Sequence, residues 1–234
     1  MLDALIPLIT LIVLEVILGI DNIIFISILS DKLPEENRKK LRLYGILLAM
    51  VMRLVLLGFI SWILKLDHGL FTLFDIEFTG KGLILLAGGL FLIYKSTKEI
   101  YQKTEIAMEE KPHTPKKASF RSLLMEIIIL DLVFSVDSII TAVGMVNELW
   151  VMYTAVVVTV IIMLIASGPI SNFIRKHPSF KILALSFLLM IGVSLIAEGL
   201  HFEIPKGYIY FSMAFAFLVD IIQMKTVPKT RKPA

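Results

Sequence analysis

Two short stretches of this chain place carboxylates inside what is otherwise hydrocarbon. In Leu14-Glu15-Val16-Ile17-Leu18-Gly19-Ile20-Asp21-Asn22-Ile23-Ile24 two acids interrupt an apolar run nearly long enough to cross a bilayer. The pattern returns in Leu130-Asp131-Leu132-Val133-Phe134-Ser135-Val136-Asp137-Ser138-Ile139-Ile140, with Glu15 matched by Asp131, Gly19 by Ser135, Asp21 by Asp137 and Asn22 by Ser138. A charged side chain at the centre of a membrane helix costs roughly 2.5 to 3.5 kcal/mol on insertion scales, so four such acids demand a use.

At about 100° per residue, Glu15, Gly19 and Asn22 share one helix face, as do Asp131, Ser135 and Ser138, while Asp21 and Asp137 lie one step around. Either both faces line a bundle interior or the helices loosen near Gly19 and Ser135. Local unwinding is the expectation, since broken helices expose carbonyl oxygens to cations in transporters built from inverted repeats. Facing one another, the two stretches would offer Glu15, Asp21, Asn22, Asp131, Asp137 and Ser138 as a metal site, with Ser135 supporting it. These donors are oxygens apart from the Asn22 amide nitrogen, a set that suits Mn²⁺, Mg²⁺ or Ca²⁺ and disfavours copper or structural zinc. Four carboxylates can replace a dication's lost water and neutralise its charge, and protons can take its place on a return stroke. Arg53, the only Lys or Arg well inside an apolar run, is the candidate counter-ion. The competing role for the acids is a structural ion-pair network around Arg53, but one Arg does not balance four carboxylates.

The elements that carry these residues are membrane helices. The chain is 57% hydrophobic and 18% charged with a mean hydropathy of +0.86, too apolar for an ordinary soluble domain. Its net charge of +3 does not point to nucleic acid, because the bases sit in short loops between apolar runs. The absence of cysteine excludes disulfides, iron-sulfur clusters and thiolate metal sites. With Asp3 ahead of the first run and Glu15 and Asp21 within it, that run reads as a mature helix and not as a cleavable leader.

Seven runs approach the length needed to span a hydrocarbon core of about 30 Å. They lie near Leu5 to Leu29, Leu43 to Leu64, Gly82 to Tyr94, Leu123 to Val146, Val151 to Ile174, Ile182 to Leu200 and Tyr208 to Met224. The third is short and borrows flanking residues, with Lys81 and Lys95 reaching toward head groups. Of the 23 Lys and Arg residues, 19 fall in alternate loops on one side and only Lys65, Lys81 and Lys206 on the other. That asymmetry predicts an outside N-terminus and a cytoplasmic C-terminus. Trp62, Trp150, Tyr208 and Tyr210 are expected in the outer aromatic belt, Tyr44 and Tyr101 in the inner one. Glu126 and Glu198 are expected at the interface and Asp220 as a solvated helix-end acid. Ala87, Gly88 and Gly89 are expected where helices pack closely.

The repeat extends past the acidic stretches: Ile60-Ser61 echoes Ile170-Ser171, and Lys81 with its apolar run echoes Lys181 with its own. The expected organisation is an all-α polytopic membrane protein of seven helices. Residues 1–103 form a first three-helix repeat, 104–119 a cytoplasmic linker, 120–202 a second repeat, and 203–234 a seventh helix with a basic tail. Three crossings per unit invert the second unit relative to the first, an architecture of secondary transporters that carry substrate near the midplane.

The stretches LEVILGIDNIIFIS and LDLVFSVDSIITAVG, with RLYGILLAMVMR, HPSFKILALSFLLMIG and PKGYIYF, closely resemble the TerC family of integral membrane proteins, named for tellurium resistance, and its YgdQ/YkoY-like branch. The resemblance covers nearly the whole chain. It implies a multi-pass protein of the bacterial inner membrane, and it implies that Glu15, Asp21, Asn22, Asp131, Asp137 and Ser138 handle a metal, since several relatives are implicated in manganese efflux. Assistance to exported proteins has also been attached to the family, which would make this chain a non-transporting partner of metallation or of secretion machinery. An intramembrane aspartyl protease is the enzyme alternative. Gly-x-Gly-Asp precedes neither Asp21 nor Asp137, and the duplication yields four acids where a protease needs two. The expectation is therefore a metal exporter with no enzyme activity and no resident cofactor.

Overall fold

A computed structural model describes residues 2–73, 76–104, 119–146, 148–202 and 204–226. Seven long helices correspond to the seven apolar runs: α1 (Leu2–Ser30), α2 (Glu35–Gly58), α4 (Gly80–Thr104), α5 (Phe120–Met145), α6 (Leu149–Lys176), α7 (Pro178–Gly199) and α8 (Lys206–Thr226), with α3 (Ile60–Ile63) a single turn after α2. Among the described residues five of them, α1, α2, α6, α7 and α8, are long and apolar enough to cross a membrane. Among the residues of α4 and α5 are the charges Lys81, Lys95, Lys98 and Glu99, and Glu126, Asp131 and Asp137 respectively. The Ile- and Val-rich runs are poor intrinsic helix formers in water, but in lipid a helix is the one way for a single segment to satisfy its own backbone. Most of the linker, residues 105–118, and the basic tail, 227–234, lie outside the described residues.

The all-α expectation omits an antiparallel strand pair, β1 (Gly69–Leu73) and β2 (Ile76–Thr79), inserted between α3 and α4. Its register pairs Thr72 with Glu77 and Phe71 with Phe78, whose rings stack at 5.1 Å. Thr79 then leads into α4, its Oγ1 accepting a hydrogen bond from the backbone N–H of Gly82 at 2.9 Å.

Helix α1 lies along α6, α5 lies along α2, and α4 lies along α7, while α8 leans chiefly on α7. The α4–α7 contact is a glycine seam. A Cβ on Gly82 would come within 2.8 Å of the Gly199 carbonyl oxygen, and one on Gly89 within 2.6 Å of the Gly192 oxygen; the reverse approaches are as tight. Rising numbers on α4 meet falling numbers on α7, so the two helices run antiparallel, at backbone contact distance. Gly88 is a third close approach, against Val133 of α5. Ala87, expected with them, instead faces outward.

The two ends of the bundle differ. At one, Arg175 pairs with Glu35 at 3.3 Å and Lys181 with Asp31 at 2.7 Å. At the other, His201 contacts the carbonyl oxygen of Glu77 in β2 through its Nε2 at 2.6 Å, bringing the α7–α8 connection against the strands. This second end is the hairpin end of the bundle.

Candidate ion site

All four motif carboxylates are buried, Glu15 at 4% exposure and Asp21, Asp131 and Asp137 at 5% each. Helices α1 and α5 are continuous through both motifs, so the expected unwinding at Gly19 and Ser135 is corrected. Gly19 is small because α6 approaches there: a Cβ would lie 2.7 Å from the sulfur of Met163. Ser135 stays helical and donates its hydroxyl back one turn to Asp131 Oδ2 at 3.1 Å.

The carboxylates divide into two sets. Arg53 of α2 donates through Nη1 to Glu15 Oε2 at 2.5 Å and through Nη2 to Asp131 Oδ1 at 3.0 Å. Asp131 Oδ1 also accepts from Asn22 Nδ2 at 3.1 Å. Glu15, Asn22, Asp131 and Ser135 thus form one buried network around a single guanidinium, and a planar fork suits such two-acid bridging better than an ammonium would. Asp21, Asp137 and Ser138 make the second set. They line a narrow cleft of about 30 Å³ with Arg53 at one wall and Tyr210, Ser194 and Lys206 at others.

The cleft carries an uneven charge balance. Asp137 is paired with Lys206 of α8 through Oδ2 and lies 3.5 Å from Lys81 Nζ through Oδ1. Asp21 has no ion pair among the described residues. No group of three or more Asp, Glu or His side chains among the described residues is placed to hold one metal ion. Arg53 and the lysines pair with Glu15, Asp131 and Asp137, while Asp21, Ser138 and Tyr210 line the cleft with no ion pair among the described residues.

The profile of the family described as "Integral membrane protein TerC family" matches residues 2–232. The chain belongs to the TerC family. It is 49% identical over 223 residues to a UPF0053 protein of Haemophilus influenzae, covering 95% of this chain and 94% of that one. It is 50% identical over 214 residues to the UPF0053 inner membrane protein YoaE of Escherichia coli, covering 92% of this chain but 41% of YoaE. With YegH of the same species the identity is 47% over 225 residues, 96% of this chain and 43% of YegH. The chain thus spans about four-tenths of the length of those two relatives. No solved structure matches it.

Within this TerC-family chain, several site residues were not legible as such. Tyr210, expected in the outer aromatic belt, turns into the cleft, whereas Tyr208 is exposed as expected. Lys81 and Lys206 read as loop lysines and Glu198 as an interfacial acid, yet all three meet at Asp137: Lys81 Nζ is 3.0 Å from Glu198 Oε1 and Lys206 Nζ 3.5 Å from Oε2. The available signal was their scarcity, since Lys81 and Lys206 are two of only three bases on the side poor in positive charge. Glu126 pairs with Lys95 at 2.7 Å. Asp220, expected in solvent, has Oδ2 buried and unbonded among the described residues.

Proposed function

We propose that this protein is an inner-membrane transporter that exports a divalent metal cation, Mn²⁺ first among the candidates, in exchange for protons. The observation that carries the reading is Asp21, a buried carboxylate without an ion pair among the described residues, opening on the same cleft as Asp137. Asp21, Asp137, Ser138 and Tyr210 supply oxygen donors, as hard dications require. Glu15 and Asp131 stand behind them, held by Arg53, with Asn22 bonded to Asp131, and all three would join the ion's shell as Arg53 yields.

Two inverted repeats of three spans, with the seventh helix added, frame this site in the reading. Two relationships support that frame. The acidic motifs are duplicated, and Asn22 of one motif reaches Asp131 of the other.

The test is flux of radiolabelled Mn²⁺ into proteoliposomes, comparing the parent with Asp21→Asn and Asp137→Asn. Loss of flux in both variants is expected. Parental flux in both would refute the site. No parental flux under any gradient would favour the second reading, a non-transporting membrane protein that assists metallation or assembly of exported proteins; the three carboxylates already held by Arg53 and lysines give that reading its footing.

A further inference from the structure

At the hairpin end of the bundle, the cleft that holds Asp21 and Asp137 meets a second, wider cavity of about 460 Å³ lined by Lys81, Glu198, His201 and Lys206. Between the two lies a ring of four side chains from four helices. Asp137 of α5 is paired with Lys206 of α8 and lies 3.5 Å from Lys81 of α4; Glu198 of α7 lies 3.0 Å from Lys81 and 3.5 Å from Lys206. Each acid touches both bases and each base touches both acids. Side-chain exposure rises outward along the ring, from 7% at Asp137 through 17% at Lys81 and 23% at Glu198 to 35% at Lys206.

The ring sets two acids against two bases, and it stands between the cleft and the wider cavity, whose linings share Lys206; a third, largely apolar cavity meets the cleft at Leu18, Lys206 and Tyr210. We propose that the ring is the gate of the ion path at the hairpin end, with Lys206 as the moving part and Glu198 as its alternative partner. A dication reaching Asp137 competes with Lys206 for that carboxylate. Lys206 loses its inner partner but keeps Glu198 within reach, so its charge is never left alone in the opening. Its flexible stem suits such a transfer, and its helix is the least embedded in the bundle: of the α8 residues only Ile209 is buried. The second lysine, Lys81, stands at the first turn of α4, where the glycine seam fixes the helix against α7, and keeps the Glu198 side of the ring in place. A structural ion-pair cluster would need neither two alternative acids per base nor so lightly packed a helix behind one of the bases.

The proposal deepens the transport reading and rests on it for the identity of the ion, but its test does not need flux. The chain has no cysteine, so Ser194→Cys places a single reporter in the cleft, one helical turn inward of Glu198 on α7. In vesicles open to reagent on both faces, labelling by a small charged thiosulfonate is slow in this parent if the ring is closed. Adding Lys206→Ala should speed labelling by about tenfold or more, as expected when a local closing interaction is lost. Lys206→Arg, which can still reach both acids, should keep the parental rate and shows that the first variant has not acted by misfolding. Asp137→Asn should speed labelling while Mn²⁺ flux falls, because it releases Lys206 and removes a cargo ligand together. Equal labelling in the parent and Lys206→Ala, or Lys206→Arg as fast as Lys206→Ala, overturns the gate. Fast labelling in Lys206→Ala in a protein that moves no Mn²⁺ keeps the gate and sinks only the cargo.

Discussion

Asn22 donates through Nδ2 to Asp131 Oδ1 at 3.1 Å, joining the first acidic motif directly to the second. The two residues do not correspond in the duplication, where Asn22 matches Ser138 and Asp131 matches Glu15. A contact between unlike positions is what two crossing copies of one helix produce when each lays its polar face on the other. Asn22→Ala removes one donor from a buried carboxylate that keeps Arg53 and Ser135, and should cost about 1–3 kcal/mol. Asn22→Asp should cost more, because it sets a new acid beside Asp131. Thermal unfolding in detergent checks the order: Asn22→Asp no less stable than Asn22→Ala would contradict this account.

Arg53 carries a larger share of the stability. It is buried between Glu15 and Asp131, and its removal leaves two acids with no counter-charge in the interior. Arg53→Met should destabilise by about 3–5 kcal/mol, the range for breaking a buried pair from one side. Combining it with Glu15→Gln and Asp131→Asn should recover much of that loss, since the penalty lies in the orphaned charges. Arg53→Lys should fall between, keeping the charge but not the fork. If the triple variant is as unstable as Arg53→Met alone, the network is not held by charge balance.

The spans were legible because bilayer thickness sets a length that hydropathy alone reports, and the acids of α1 and α5 stood out against that background. What their neighbours do was not. A lysine that snorkels and one that caps a buried aspartate have the same local sequence, so Lys81 and Lys206 became site residues only once α4, α5 and α8 were in place. Tyr210 and Tyr208 are two residues apart on one helix and point in different directions, a distinction set by where α7 lies. Gly19 read as a weak point in its helix, yet Met163 of α6 shows it to be a contact. The strand pair was missed because Leu70-Phe71-Thr72 and Glu77-Phe78-Thr79 are too short to separate from a loop between two strong helices.

The glycines make a sharper prediction than composition would. Gly89 and Gly192 face each other's carbonyl oxygens at distances no Cβ tolerates, and backbone cannot move aside as a flexible side chain would. Gly89→Leu or Gly192→Leu should therefore destabilise by at least the roughly 1–3 kcal/mol typical of overpacking. Gly144, which has nothing within 4 Å of an added Cβ, should accept alanine within about 0.5 kcal/mol. Thermal unfolding of these variants in one detergent makes the comparison, and a tolerated Gly192→Leu would mean that α4 and α7 are not in backbone contact.

Orientation is the last expectation to test, and the ion pairs sharpen it. Of the three lysines on the side poor in positive charge, Lys81 and Lys206 are engaged with Asp137 and Glu198, so the connections at the hairpin end carry less uncommitted positive charge than the sequence count implies. The opposite end keeps Lys39, Lys40 and Lys176 exposed. The positive-inside bias then acts more strongly than 19 against three, and the hairpin end should face outward. Single cysteines in this cysteine-free chain report it. Leu70→Cys and Phe202→Cys, at the hairpin end, should react with an impermeant maleimide on intact cells, whereas Glu36→Cys and Lys176→Cys should react only after lysis. The reverse pattern would invert the protein and turn the proposed exit of the ion path into its entrance.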